Sequence, residues 1–133
     1  MTIEVLTQPF SVCKTRNFPQ DLFTRGFCFL ARTDHEISVV CETKEAPPEA
    51  TARQDGWRAL RIQGTLDFAL TGILAGLSAV LAQRQISIFA VSTYDTDYVL
   101  VRENQLREAV AALRAARWKV EELRNTDGPC SER

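Results

Sequence analysis

The stretch Gly64-Thr65-Leu66-Asp67-Phe68-Ala69-Leu70-Thr71-Gly72-Ile73-Leu74 leads into a helical pattern. Ile86-Ser87-Ile88-Phe89-Ala90-Val91-Ser92-Thr93-Tyr94-Asp95-Thr96-Asp97-Tyr98-Val99-Leu100-Val101 follows it. Apolar periodicity accounts for most of these residues. Two polar elements stand out against it: Thr71-Gly72, where a loop enters the helix, and Ser92 to Asp97, between two apolar runs.

Ile73, Leu74, Leu77, Val80 and Leu81 recur at the spacing of an amphipathic helix, which is expected over Gly72 to Arg84. Thr71 is read as its N-cap, with a hydroxyl able to accept from a first-turn N–H. Gly72 leaves bare backbone where a ligand can approach. First-turn N–H groups have no partner within the helix and can hold an anion such as a carboxylate. A plain cap and turn is the competing reading.

Ile86 to Thr93 and Tyr98 to Arg102 are rich in β-branched and aromatic residues and read as strands of a hairpin. Asp95 and Asp97 fall in the link. Ordinary turn chemistry would explain them. So would a carboxylate placed to receive an ammonium or guanidinium group. Thr71-Gly72 and either aspartate would then serve opposite ends of one amino acid.

A chain of 133 residues suits one compact unit or two small ones. Its 45% hydrophobic and 25% charged content are those of an ordinary globular protein. The residues before Trp57 hold 6 basic and 8 acidic side chains, and the rest hold 10 and 9, so the halves carry -2 and +1. Neither half is a basic patch, and nucleic acid is not an expected partner. Met1-Thr2-Ile3-Glu4 lacks the basic and apolar regions of a signal peptide. The uncharged run Phe68 to Gln83 falls short of the about 20 residues that cross a bilayer. A cytoplasmic location without membrane association is expected. Cys13, Cys28, Cys41 and Cys130 show no CxxC spacing, and His35 is the single histidine. No metal or other cofactor is expected, and the first three cysteines read as small core hydrophobes.

Ile3 to Val5 and Phe10 to Cys13 read as strand pieces with Pro9 interrupting or bordering them. Asn17 to Phe23 suggests a turn or one short helical turn. Gly26 to Ala31 and Ile37 to Cys41 read as a hairpin with His35 solvated at its tip. Lys44 to Gln54 is a polar connector around Pro47-Pro48, with a short helix expected after Pro48. Trp57 to Ile62 alternates as a strand. Asn104 to Ala116 carries Leu106, Val110 and Leu113 on one stripe, with Asn104 as its cap. Trp118 to Leu123 closes as a strand, and 125–133 is expected to be a flexible tail. No low-complexity segment or short-period repeat is present.

From Trp57 to Leu123 the order is β-α-β-β-α-β, the ferredoxin-like α+β plan of a four-stranded sheet with both helices on one face. At this point Trp57 to Gly64, Leu70 to Leu74 and Ile86 to Val101 resemble the ACT-domain family, most closely the branch of the CASTOR arginine sensors and the aspartokinase regulatory domains. The resemblance implies an ACT domain over 57–124, preceded by a degenerate, strand-rich ACT-like subdomain over 1–56. It implies an amino-acid-binding regulatory module that is not an enzyme. It implies a homodimer or larger homo-oligomer, and a separate regulated partner protein. The pocket positions it carries over are Leu70, Thr71, Gly72 and Ile73, with Ser92, Thr93, Tyr94, Asp95 and Asp97. Two alternatives remain open: an interaction module with a decayed pocket, and a small enzyme using Asp95 or Asp97 with Tyr94 as acid–base groups.

Overall fold

The computed structural model describes residues 2–63 and 72–123. Its elements run β1 (Thr2–Thr15), a 3-10 turn (Gln20–Thr24), β2 (Cys28–Arg32), β3 (Ile37–Glu42), a 3-10 turn (Thr43–Glu45), β4 (Ala52–Ile62), α1 (Ile73–Gln83), β5 (Ile88–Ser92), β6 (Asp97–Arg102), a 3-10 turn (Glu103–Gln105), α2 (Leu106–Ala115) and β7 (Lys119–Glu122). Two compact units divide these elements. Residues 1–7 group with 58–123, and residues 8–57 form the other body. The strands β1 and β4 contribute to both. The expected boundary after residue 56 falls inside β4, where that strand passes between units.

The unit holding 58–123 has the expected βαββαβ order. Its sheet runs β7–β1–β4–β6–β5. The first strand of the chain lies where a four-stranded plan would join β4 to β7. Thr2 to Val5 pair in parallel with Lys119 to Glu122, and Gln63 N–H donates to Thr2 O at 2.8 Å on the β4 side. Ile3 and Val5 therefore enter the same core as Leu60, Ile62, Val99, Val101 and Val120. Against this face lie Leu77 and Leu81 of α1 and Ala109, Val110 and Leu113 of α2, with Ile73, Val80 and Leu106 half-buried around them. Both helices thus cover one face, as the stripes predict.

The other unit is built on β1, β2, β3 and the first half of β4. Phe10 to Thr15 pair antiparallel with Ile37 to Glu42, and β3 pairs with β2. Cys13, Leu22, Val39 and Cys41 form its small core. Burial, and then the neighbouring thiols, push Cys41 up to about 12, so its sulfur stays neutral and acts as packing. Gly26, at φ +60°, has no room for a side chain because the Glu42 carboxylate fills that space and accepts from Phe27 N–H at 2.9 Å.

Several local expectations are corrected. Pro9 does not interrupt β1, because the ladder to β7 ends at Val5 and that to β3 begins at Phe10, so its missing N–H is taken from neither. The short helical turn precedes Pro47-Pro48 instead of following it. Asn104 does not cap α2; a 3-10 turn carries the chain into the helix, and Gln105 occupies the cap position without a side-chain bond. The 125–133 tail lies outside the described residues.

A longer repeat, invisible as a short period, relates the two units. Cys28, Ile37 and Thr43 open three successive elements; Ile88, Asp97 and Glu103 open three of equal length, at a constant spacing of 60 residues. Cross-strand pairs follow the same spacing: Cys28 faces Cys41, and Ile88 faces Val101. In one copy α2 follows the 3-10 turn; in the other, Pro47-Pro48 stands there and no α-helix forms among the described residues.

Candidate functional site

The hairpin β5–β6 positions the polar run. Ser92 and Asp97 are directly opposite in the ladder, and the Ser92 hydroxyl donates to Asp97 Oδ1 at 2.6 Å. Alternation along β6 puts Asp97 on the side of Val99 and Val101, which is the side that α1 and α2 cover. Asp97 is half-buried; Asp95, at the exposed tip, makes no hydrogen bond or ion pair among the described residues. The two aspartates that sequence could not separate therefore have distinct settings. Tyr94 is 83% exposed and forms no wall within this chain's described residues.

Thr93 closes the turn. Its N–H donates to Thr96 O at 2.8 Å, and its hydroxyl lies 3.1 Å from the same oxygen. The counterpart turn uses Thr33 likewise, with Thr33 N–H donating to Glu36 O at 2.9 Å. Thr96 is the residue the sequence reading missed. It is buried, and its hydroxyl donates to Ile62 O at 2.7 Å, tying the turn to the end of β4. The chain leaves β4 there on its way to α1. Two threonines flanking a tip are a weak signal, because sequence does not say which one turns inward.

At the start of α1, Gly72 occupies the cap position with φ +81°, a left-handed conformation that favours glycine. Among the described residues no side chain caps the helix, and Gly76 N–H donates to Gly72 O at 2.7 Å. The expected cap, Thr71, and Leu70 lie outside the described residues. A Cβ built on Gly72 meets nothing within 4 Å, so this backbone is open. Ile73 is half-buried against the core. Ser92, Thr93 and Asp97 are thus brought together directly, while Gly72 and Ile73 begin the helix on the same side of the sheet.

On the opposite sheet face, Arg61 donates to Glu4 at 2.9 Å and lies 5.9 Å from the Tyr98 ring centroid. Burial opposes its charge, but bonds to Tyr98 and Glu4 outweigh that and raise its pKa. No cluster of His, Cys, Asp and Glu among the described residues has the geometry of a metal site. Among those residues, no helix is long and apolar enough to cross a membrane.

Strand order and two helices on one face of the sheet give the ferredoxin-like plan of an ACT-type fold. Residues 52–115 match the family model described as the ACT domain. The chain is similar to the protein Atu0741 of Agobacterium tumefaciens, at 27% identity and TM-score 0.84, over 96% of this chain and 97% of that one. It is similar in fold to the regulatory subunit of aspartate kinase from Thermus thermophilus, at 10% identity and TM-score 0.63, over 86% and 95%. Aspartate kinase from Synechocystis gives 16% identity and TM-score 0.68, over 96% of this chain and 28% of the enzyme. No curated protein matches the chain.

Proposed function

We propose that the chain is a cytoplasmic amino-acid sensor that works as a homo-oligomer, without catalysis, and passes its signal to a separate protein. The observation that carries this reading is the 2.6 Å bond from the exposed Ser92 hydroxyl to the half-buried Asp97 carboxylate on the helix side of the sheet, with the start of α1 at Gly72 on that same side. Asp97 receives the ligand's ammonium group. It is the better choice than Asp95 because partial burial lowers the local dielectric and Ser92 holds its carboxylate in place. The N–H groups of Gly72 and Ile73, at the positive end of the helix, receive the carboxylate. Leu70, Thr71 and Thr93 complete the pocket, and Tyr94 and Asp95 line its rim. The ACT match and the aspartate kinase regulatory subunit among its structural neighbours support a regulatory role.

A thermal-shift screen of the twenty amino acids tests the reading. A ligand at 100 times its Kd adds about 2.7 kcal/mol of stability. At least one amino acid should raise the melting temperature in a saturable way, and Gly72→Val, strained at positive φ, should abolish that rise. Twenty flat titrations at millimolar concentration would overturn it.

A further inference from the structure

A cavity of about 510 Å³ lies in the unit of 58–123, lined by α2 together with residues of β4 and β7. Arg58 of β4, Arg107 and Arg114 of α2, and Glu103 and Glu122 bring charge to it; Leu106, Val110 and Ala111 give it an apolar wall. None of these residues belongs to the Ser92–Asp97 region.

Arg58 is the informative one. Its Nη2 donates to Leu6 O at 2.9 Å. Its Nε is buried and has no hydrogen-bond partner. A buried donor left unmade on a charged group is costly, and such a group calls for an acceptor. Arg107 is exposed and has no ion-pair or hydrogen-bond partner among the described residues. Arg114 is committed elsewhere: it donates to Val120 O at 2.9 Å and reaches Glu122 at 3.9 Å. Three guanidinium groups against two carboxylates leave one positive charge at the cavity.

We propose that this cavity is a second ligand site, for a small monocarboxylate with a short apolar body. Arg58 and Arg107 take the carboxylate, a planar acceptor suited to guanidinium donors. The body of the ligand lies on Leu106, Val110 and Ala111. A single excess positive charge matches a monoanion; a phosphate dianion would be repelled by Glu103 and Glu122. The volume falls within the range of small-molecule pockets.

The test is a titration of the full chain, labelled with ¹⁵N, with hexanoate and in parallel with inorganic phosphate, read by amide and arginine Nε–H shifts. Hexanoate should give saturable shifts at Leu106, Arg107, Val110 and Ala111 and at the Arg58 Nε–H. Arg107→Gln, at an exposed position that leaves the fold intact, should weaken binding about tenfold. Arg58→Lys, if it folds, should do at least as much, since an ammonium lacks the fork. Absence of saturable shifts, equal affinity in Arg107→Gln, or preference for phosphate would each overturn the assignment. Amino-acid binding at Asp97 is scored separately by Asp97→Asn, which should leave the hexanoate shifts unchanged.

Discussion

At the scale of single residues, two carboxylates in similar sequence settings are given different work by their neighbours. Asp97 is held by Ser92 and half-buried, whereas Asp95 is exposed at the tip. Asp97→Asn should therefore weaken amino-acid binding by roughly tenfold to a few hundredfold, the range of a lost charge-assisted bond, while Asp95→Asn should change it less than threefold or so. Calorimetry on both variants checks this; equal losses would remove the distinction drawn between them. Asp55 offers a separate test by pH. The Arg53 guanidinium, and then the Ser11 hydroxyl, hold its carboxyl below the usual 3.8. A depressed native value means that the unfolded chain takes up the proton first as pH falls. The contribution of Asp55 is then fully present above about pH 4 and disappears as pH drops through the lower native value. Denaturant midpoints of Asp55→Asn and the wild-type chain should differ at neutral pH and converge as pH falls through the depressed native value. A gap that stays constant from pH 7 to pH 2 would show that the Arg53 and Ser11 contacts do not act through charge.

At the scale of elements, what sequence makes legible is what a single period encodes. The α1 and α2 stripes read correctly because Leu77, Leu81, Val110 and Leu113 repeat at helical spacing and all four are buried. The β5–β6 hairpin reads correctly because β-branched and aromatic residues bracket a polar tip. The place of β1 was not legible, since Ile3 and Val5 look like any strand and pair with β7 from 117 residues away. The 60-residue repeat was hidden for another reason. Among the eighteen aligned positions of 28–45 and 88–105 only Phe29/Phe89, Thr33/Thr93 and Val39/Val99 are identical. Burial constrains class and size at such positions but not identity. Half of the candidate site shared this limit: the hairpin aspartates could be located, but which one Ser92 engages depends on strand register. The firmest element-scale expectation is Leu77→Ala. Leu77 is fully buried between α1 and the sheet, so the substitution should lower unfolding free energy by about 2–5 kcal/mol. Ala79→Ser, two residues on and on the exposed face, should stay within about 0.5 kcal/mol. Urea unfolding of the two variants measures both, and a small loss at Leu77 would contradict the burial of that helix face.

At the scale of the whole molecule, the open question is what meets the free sheet edge. In the unit of 58–123 the strand order ends at β5, whose outer backbone groups pair with no further strand among the described residues. Ile88, Phe89 and Val91 on this strand are only half-buried. An unprotected edge of β-branched and aromatic residues invites pairing with another chain, and proteins that stay monomeric usually place charge or proline there. The sequence Ile88-Phe89-Ala90-Val91-Ser92 contains neither. A homodimer joined through β5 would satisfy these groups and would bring two Ser92–Asp97 turns into one assembly, so that the ligand binding proposed at the turn would act on the subunit contact. Sedimentation equilibrium should then give a dimer at tens of micromolar protein. Ala90→Lys, at an exposed position where the side chain costs the monomer little, should shift the equilibrium toward monomer and leave the circular-dichroism spectrum unchanged. A wild-type monomer across that concentration range, or a dimer indifferent to Ala90→Lys, would place the subunit contact elsewhere or remove it. If the dimer also tightens when a bound amino acid is added, the two events share a coupling free energy, and dimerisation must in turn raise amino-acid affinity by the same factor.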